Sequence, residues 1–405
     1  MNTINTLFVL VSTVLVFLMI PGLALFYGGL VRSRNVLSVA TQIMGIMLVG
    51  GIVWSLVGYS LAFSGDGAFL GDAGAMMLKG FSNLSEPATG TGVPQAIFFL
   101  FQTMFAVLTA GLIVGAYAER MRFRAHLFLT TAWLVAVYAP IAHWVWGGGF
   151  LSKLGALDFA GGLVVHISSG MSALVVALIL GKRRDYGSTA IRPGNLPAVL
   201  VGLAMLWVGW FGFNGGSALA LDSVALLALV NTLFGSIAGG ATWLSIELLR
   251  GRPTFLGSAT GVLAGLVAIT PACGFVEPWA AFVIGLAGGL ASYGAIVWLK
   301  NRLGYDDALD AFGCHGVAGV VGSLATGVFA TKAVNEAGAN GLLKGTFDLM
   351  GAQLVSTGAV IAFSIVMTVV LTLVTRALVG IRVDTEAEDV GLDISEHGER
   401  AYAFD

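Results

Sequence analysis

Two stretches carry the residues with the best claim to chemistry in this chain: 158–174, DFAGGLVVHISSGMSAL, and 310–324, DAFGCHGVAGVVGSL. Each brings an aspartate, Asp158 or Asp310, and then a single histidine, His166 or His315, into a run otherwise fit for lipid. Ionisable side chains inside a membrane are costly, and function is the default reading for them. On a helix, the positions three, four and seven after each histidine fall on one face. Those positions hold Ser169, Gly170 and Ala173 in the first stretch, and Ala318, Gly319 and Gly322 in the second. Each histidine therefore sits on a strip of small residues that another backbone can approach closely. Two facing neutral imidazoles could join nitrogen to nitrogen, one donating and one accepting, which fixes both tautomers.

The elements that position these residues are membrane helices. Hydrophobic residues make up 57% of the chain and charged residues 10%, against about 25% charged in ordinary soluble proteins. Glycine is 57 of 405 residues, which in a polytopic protein implies tight helix packing. Cys273 and Cys314 are the only cysteines, too few for a disulfide framework or a thiolate metal site. The formal charge of −2 identifies no partner, and no nucleic-acid footprint is present.

Apolar stretches of roughly 17 to 25 residues predict eleven spans, near 7–31, 36–63, 94–118, 125–146, 160–180, 196–216, 223–248, 255–272, 278–299, 312–331 and 348–376. The eighth is the weakest, broken by Thr270, Pro271 and Gly274. The loops after spans one, three, five, seven and nine, with the tail, hold 16 of the 20 basic residues and every arginine. Basic loops stay cytoplasmic, so the expectation is an N-terminus outside and a C-terminus inside. A long first apolar stretch with no basic residue before it argues for a retained span over a cleaved signal. Residues 1–379 are then a transmembrane domain, with an external glycine-rich loop at 64–93, and residues 380–405 a cytoplasmic tail.

A weak internal repeat links LFYGGLV at the end of span one to GFNGGSA at the end of span six, and the two histidine stretches to each other. The halves, about 7–180 and 196–331, each contain five crossings. An odd count makes them an inverted repeat with a shared site near the midplane, leaving span eleven outside it. The fold class is all-α integral membrane.

DFAGGLVVHI, GWFGFNGGS, TPACGF, FGCHGVAGVVG and the tail GLDISEHGERAY, in that order on eleven spans, resemble the Amt/Mep/Rh ammonium transporter family, Amt branch. The resemblance runs from FYGGLVR near residue 26 to the end of the chain. It implies a homotrimer in the cytoplasmic (inner) membrane, with a narrow apolar pore in each subunit, no cofactor and no metal. Residue by residue, Trp146 and Phe105 match the aromatic walls of the external vestibule, and Ser217 the hydroxyl that accepts a hydrogen bond from the ion. Phe105 and Phe213 match the stacked rings closing the mouth, and Asp158 the carboxylate beneath it. His166 and His315 match the twin histidines of the pore, and Trp210 a pore-lining tryptophan. The tail residues Gly391, Asp393, His397, Gly398, Glu399 and Tyr402 resemble a regulatory segment that packs under a neighbouring subunit. A nitrogen-regulatory PII protein is the implied cytoplasmic partner.

The chemistry suits such a substrate. Ammonium is a cation close to potassium in size, and an aromatic face attracts it by about 2 kcal/mol once desolvated. Carrying it intact through the bilayer centre costs about 2.5 kcal/mol or far more. The economical expectation is that ammonium, or methylammonium, loses its proton below the phenylalanine gate. Ammonia then passes the histidines and the proton follows along them, so that net charge moves. Three alternatives stand beside it: an electroneutral gas channel, an ammonium-sensing receptor, and a channel for another neutral solute. An enzyme is disfavoured because no nucleophile or metal set accompanies the histidines.

The remaining polar residues have plainer readings. His143 reads as a packing histidine and His126 as a surface or subunit-contact residue. Trp133, Trp144, Trp207 and Trp243 read as belt or packing residues. Asp158 could cap the helix that follows it, and Asp310 could cap its own or face an internal vestibule. Cys314 beside His315 lacks a third metal ligand in sequence.

Overall fold

The computed structural model describes residues 2–81, 84–88 and 90–402. Residues 82, 83 and 89 of the long loop, and residues 1 and 403–405 at the ends, lie outside that description. Among the described residues, ten helices are long and apolar enough to cross a membrane: α1 (Thr3–Leu30), α2 (Ser33–Phe63), α3 (Gln95–Tyr117), α4 (Phe123–Leu154), α5 (Gly162–Leu180), α6 (Leu196–Gly216), α7 (Ser223–Arg250), α9 (Pro278–Leu303), α10 (Phe312–Phe329) and α11 (Asp348–Val379). Between α7 and α9 lies the shorter apolar α8 (Phe255–Ile269). It takes the place of the weak eighth span and stops before Pro271, which has no amide to donate and crowds the carbonyl four residues back. No strand occurs among the described residues.

Local chemistry starts these helices where the sequence provides it. Asn2 Oδ1 accepts from the Ile4 and Asn5 amides, and Asp222 Oδ1 accepts from Val224 and Ala225. Thr254 Oγ1 accepts from Gly257, and Asn195 Oδ1 from Ala198. Each satisfies amides that a helix start leaves without intrahelical partners.

Equivalent helices of the two halves pair as an inverted repeat requires. Helix α1 packs along α6, and α5 crosses the start of α10. That crossing depends on glycine, since a Cβ on Gly170 would lie 2.2 Å from the Gly316 nitrogen. The small-residue strips are thus used as expected, with one local difference. Both histidine segments, Gly162–Ile167 and Phe312–Val317, are π-helical. Four other stretches are π-helical too, Ile46–Gly50, Trp54–Gly58, Leu134–Tyr138 and Gly294–Leu299, so that geometry does not by itself mark a site.

The arginine-rich loops converge on one face. Glu119, after α3, pairs with Arg32 at 3.1 Å and with Arg183 at 3.0 Å. Arg183 also grips Asp306, before α10, at 2.8 Å. The tail forms two short helices, α12 (Thr385–Val390) and α13 (Leu392–His397). It packs on this same face within its own chain: Arg382 pairs with Glu388 at 2.8 Å, and Arg184 pairs with Asp389.

Candidate functional site

At the end of the bundle away from the arginines, α3 and α6 each contribute one ring to a stack. Phe105 and Phe213 lie 4.1 Å apart at 14°, and both are buried. Trp146 meets Phe105 edge-on at 6.0 Å, while its indole nitrogen donates to the Asp158 carbonyl at 2.9 Å. Ser217 follows α6. Its hydroxyl donates to the Phe213 carbonyl at 2.8 Å, so its own lone pairs are left to accept.

Asp158 is buried, and its oxygens accept four backbone amides. Oδ1 takes Gly161 at 2.8 Å and Gly162 at 2.6 Å; Oδ2 takes Leu163 at 2.7 Å and Val164 at 3.1 Å. A carboxylate has about four acceptor positions, and all are used at the start of α5. Capping is therefore what Asp158 does in the fold, compatible with a further role through its charge.

Below the stacked rings the histidines meet. His166 Nδ1 and His315 Nδ1 are 3.3 Å apart, with the rings stacked at 5.3 Å and 14°. Two facing nitrogens can bond only if one donates and the other accepts, so neutral rings must hold opposite tautomers. His166 Nε2 is buried without a hydrogen-bond partner. Trp210 stacks on His166 at 5.5 Å and is held by a 2.9 Å bond from its indole nitrogen to Thr270.

A cavity of about 270 Å³ begins at Phe213, passes Trp210 and both histidines, and continues between Leu108, Leu112, Leu206 and Leu263. It ends on the arginine face among Arg183, Lys300 and Asp310, with Ile191 and Pro193 beside them. Lys300 donates to Asp310 at 2.6 Å. The residue that caps α10 is Asp307, which accepts from Phe312 at 2.7 Å. Burial pushes its carboxyl up to about 6, against the pull of Lys300.

The predicted residues therefore come together in one file: Trp146, Phe105, Phe213, His166 with His315, and Trp210, with Asp158 at the side. The tail residues lie on the opposite face. Asp393 accepts from the Ser38 amide at 2.7 Å, the His397 ring meets Phe123 at 5.1 Å, and Tyr402 accepts from Asn195 at 2.8 Å. Gly391 and Gly398 take positive φ, and the Glu399 amide donates to the Asp393 carbonyl. His126 departs from expectation. It is buried, with Nδ1 2.8 Å from the Tyr117 hydroxyl and Nε2 2.8 Å from the Gln42 carbonyl. Its neighbouring arginines suggested a surface, but α4 turns this face inward against α2 and α3. His143 packs as read, between the Ala62 and Gly67 carbonyls. Arg183 and Lys300, at the inner end of the cavity, escaped the sequence reading as site residues; the crowding of three aspartates in YDDALD, two of which pair with them, was the available signal.

Fold and cavity together define a multi-pass membrane transport protein with a narrow, mostly apolar pathway interrupted by two histidines. The sequence profile of the Ammonium Transporter Family matches residues 7–402. An ammonium transporter of Bacillus subtilis is 48% identical over 399 residues, covering 98% of each chain. Ammonium transporter Amt1 of Archaeoglobus fulgidus is 42% identical, covering 98% of this chain and 99% of that one. The crystal structure of Saccharomyces cerevisiae Mep2 superposes with a TM-score of 0.88 at 37% identity, covering 95% of this chain and 91% of that one. A structure titled "Sensor Amt Protein" gives 0.87 at 30% identity, covering 97% and 98%. The chain belongs to the ammonium transporter family. It is a multi-pass membrane protein whose relatives carry transporter names, and it is not an enzyme.

Proposed function

We propose that this protein takes up ammonium across the cytoplasmic membrane by recruiting the cation, removing its proton and conducting ammonia. Trp146 and Phe105 supply aromatic faces for the cation, and the free lone pairs of Ser217 accept its hydrogen bond. The Phe105–Phe213 stack closes the mouth. Asp158 biases the site through its field and by fixing the start of α5. With its acceptor positions filled by amides, it makes no direct ion pair with the substrate. Ammonia then passes Trp210, His166 and His315, and the proton is relayed along the two joined imidazoles, so transport carries net charge.

The observation that carries this reading is the joined imidazole pair, one nitrogen unpartnered, in the stretch of the cavity that runs between aromatic rings and leucines before it reaches the charged inner mouth. Such a lining suits a small neutral molecule with one acceptor and several donors, and penalises a cation. We place the arginine face in the cytoplasm by its charge, with the subunit in a homotrimer and the tail open to a PII-type regulator, as in the family resemblance. An ammonium-sensing receptor is the second reading, favoured by the likeness to a structure titled a sensor.

Purified protein in proteoliposomes tests this. An ammonium pulse should evoke current, and an equal potassium pulse none. Internal alkalinisation without current would replace the account with electroneutral ammonia conduction, and neither signal would leave sensing.

A further inference from the structure

A groove on the arginine face, which shares only Pro193 with the lining of the pathway, is built like an anion site. Its wall is formed by Arg32, Ser33, Arg34, Arg192, Pro193 and Gly194. A second hollow shares Ser33 and Arg34 and adds Asp393, Arg400 and Tyr402. Three separate segments therefore meet there: the turn after α1, the linker between the two halves, and the end of the tail.

The charges are unevenly matched. Arg32 is spoken for by Glu119 at 3.1 Å and Asp185 at 2.9 Å. Arg34, Arg192 and Arg400 make no ion pair among the described residues. The one nearby carboxylate in the hollow, Asp393, is held by Oδ1 on the Ser38 amide, and its Oδ2 is buried without a partner.

A positive loop is ordinary on a cytoplasmic surface, and topology alone could explain it. The buried atom on Arg34 is not explained that way. Its Nε is buried with no hydrogen-bond partner, although buried polar groups are nearly always satisfied. The turn between α12 and α13 helps to hold it there, since a Cβ on Gly391 would lie 2.6 Å from the Arg34 side chain. Arg34, pinned with that donor unmet, lines both hollows, with Ser33 in each, Arg192 in the first and Arg400 in the second; unpaired guanidiniums around a hydroxyl suit a ligand with several charged acceptor oxygens.

We propose that this groove binds a phosphate-bearing anion, contacted by Arg34, Arg192 and Ser33, with Arg400 adding its charge from the adjoining hollow. Such a ligand ties the linker to the turn after α1. The same linker places Ile191 and Pro193 in the wall of the transport cavity, so the groove and the inner mouth share Pro193. The phosphate could come from a soluble anion or from a lipid headgroup.

The test uses full-length protein in phosphatidylcholine nanodiscs, titrated calorimetrically with inorganic pyrophosphate against chloride of equal ionic strength. A parallel arm compares melting temperatures in phosphatidylcholine and phosphatidylglycerol nanodiscs. Saturable pyrophosphate binding that R34Q and R192Q each weaken by about tenfold or more identifies a soluble ligand. A melting rise in phosphatidylglycerol alone, lost in both variants, identifies a lipid. Arg192 is exposed, so R192Q decides the matter if R34Q fails to fold. The proposal is overturned if neither probe differs from its control in the wild type, or if both variants respond as the wild type does. It is equally overturned if D393N and R34Q destabilise alike with no anion effect, since Arg34 then serves Asp393.

Discussion

At the scale of the residue, the chemistry was largely legible because its residue types are out of place in lipid. His166 and His315 declared themselves as lone histidines in apolar runs, and the structure sets them 3.3 Å apart. Asp158 was legible as a cap and as a carboxylate beside the mouth; its occupation by four amides was not, since that depends on backbone geometry. His126 misled because its arginine neighbours describe the loop and not the inward face of α4. Two predictions belong here. D158A leaves four buried amides without an acceptor, so it should abolish ammonium flux and lower stability by on the order of 3 kcal/mol. D158N keeps one acceptor oxygen and the shape. It should fold better than D158A yet remain impaired, as read by thermal unfolding beside vesicle uptake; full flux in D158A would remove Asp158 from the account. S217A should leave the fold intact and raise the half-saturating ammonium concentration several-fold, since a neutral hydrogen bond is worth about 1 kcal/mol. An unchanged concentration dependence would take Ser217 out of the vestibule.

At the scale of the element, the number and order of helices could be read from apolar length, even for α8, where only 15 residues are helical and Pro271 cuts the span short. The π-helical character of the histidine segments could not be read, because it depends on packing and leaves no composition signal. Glycine content announced tight packing without saying where. The structure locates one critical point at the crossing of α5 and α10. G170A would put a methyl group 2.2 Å from the Gly316 nitrogen, forcing apart the two segments that hold the histidines. It should cost about 1 to 3 kcal/mol of stability and most of the flux. Gly51 in α2 is the control, with nothing within 4 Å of an added Cβ. G51A should be neutral or slightly stabilising. Equal unfolding temperatures for the two variants would show that the crossing is not tightly constrained.

At the scale of the whole molecule, the loops and the tail are joined by ion pairs between residues as far apart in sequence as Arg184 and Asp389. Counting charges placed these residues on one face but did not pair them. Glu119 is the centre of that network. Burial raises its carboxyl, but Arg183 and Arg32 outweigh burial and hold it below the ordinary glutamate value of 4.5. Its contribution to stability is therefore full above 4.5 and lost as the pH falls through the depressed value. E119Q should be less stable than wild type at pH 7 by about 3 kcal/mol, and the gap should narrow below pH 4.5. A variant as stable as wild type at pH 7 would remove the network from the fold's support. The larger claim is that the cation is stripped of its proton and that the histidines enforce this. The most direct test is the potassium current of H166A in proteoliposomes, beside wild type under the same ammonium and potassium pulses. The account predicts ammonium current in both proteins and potassium current only in H166A; a variant that still passes ammonium and still excludes potassium would contradict it.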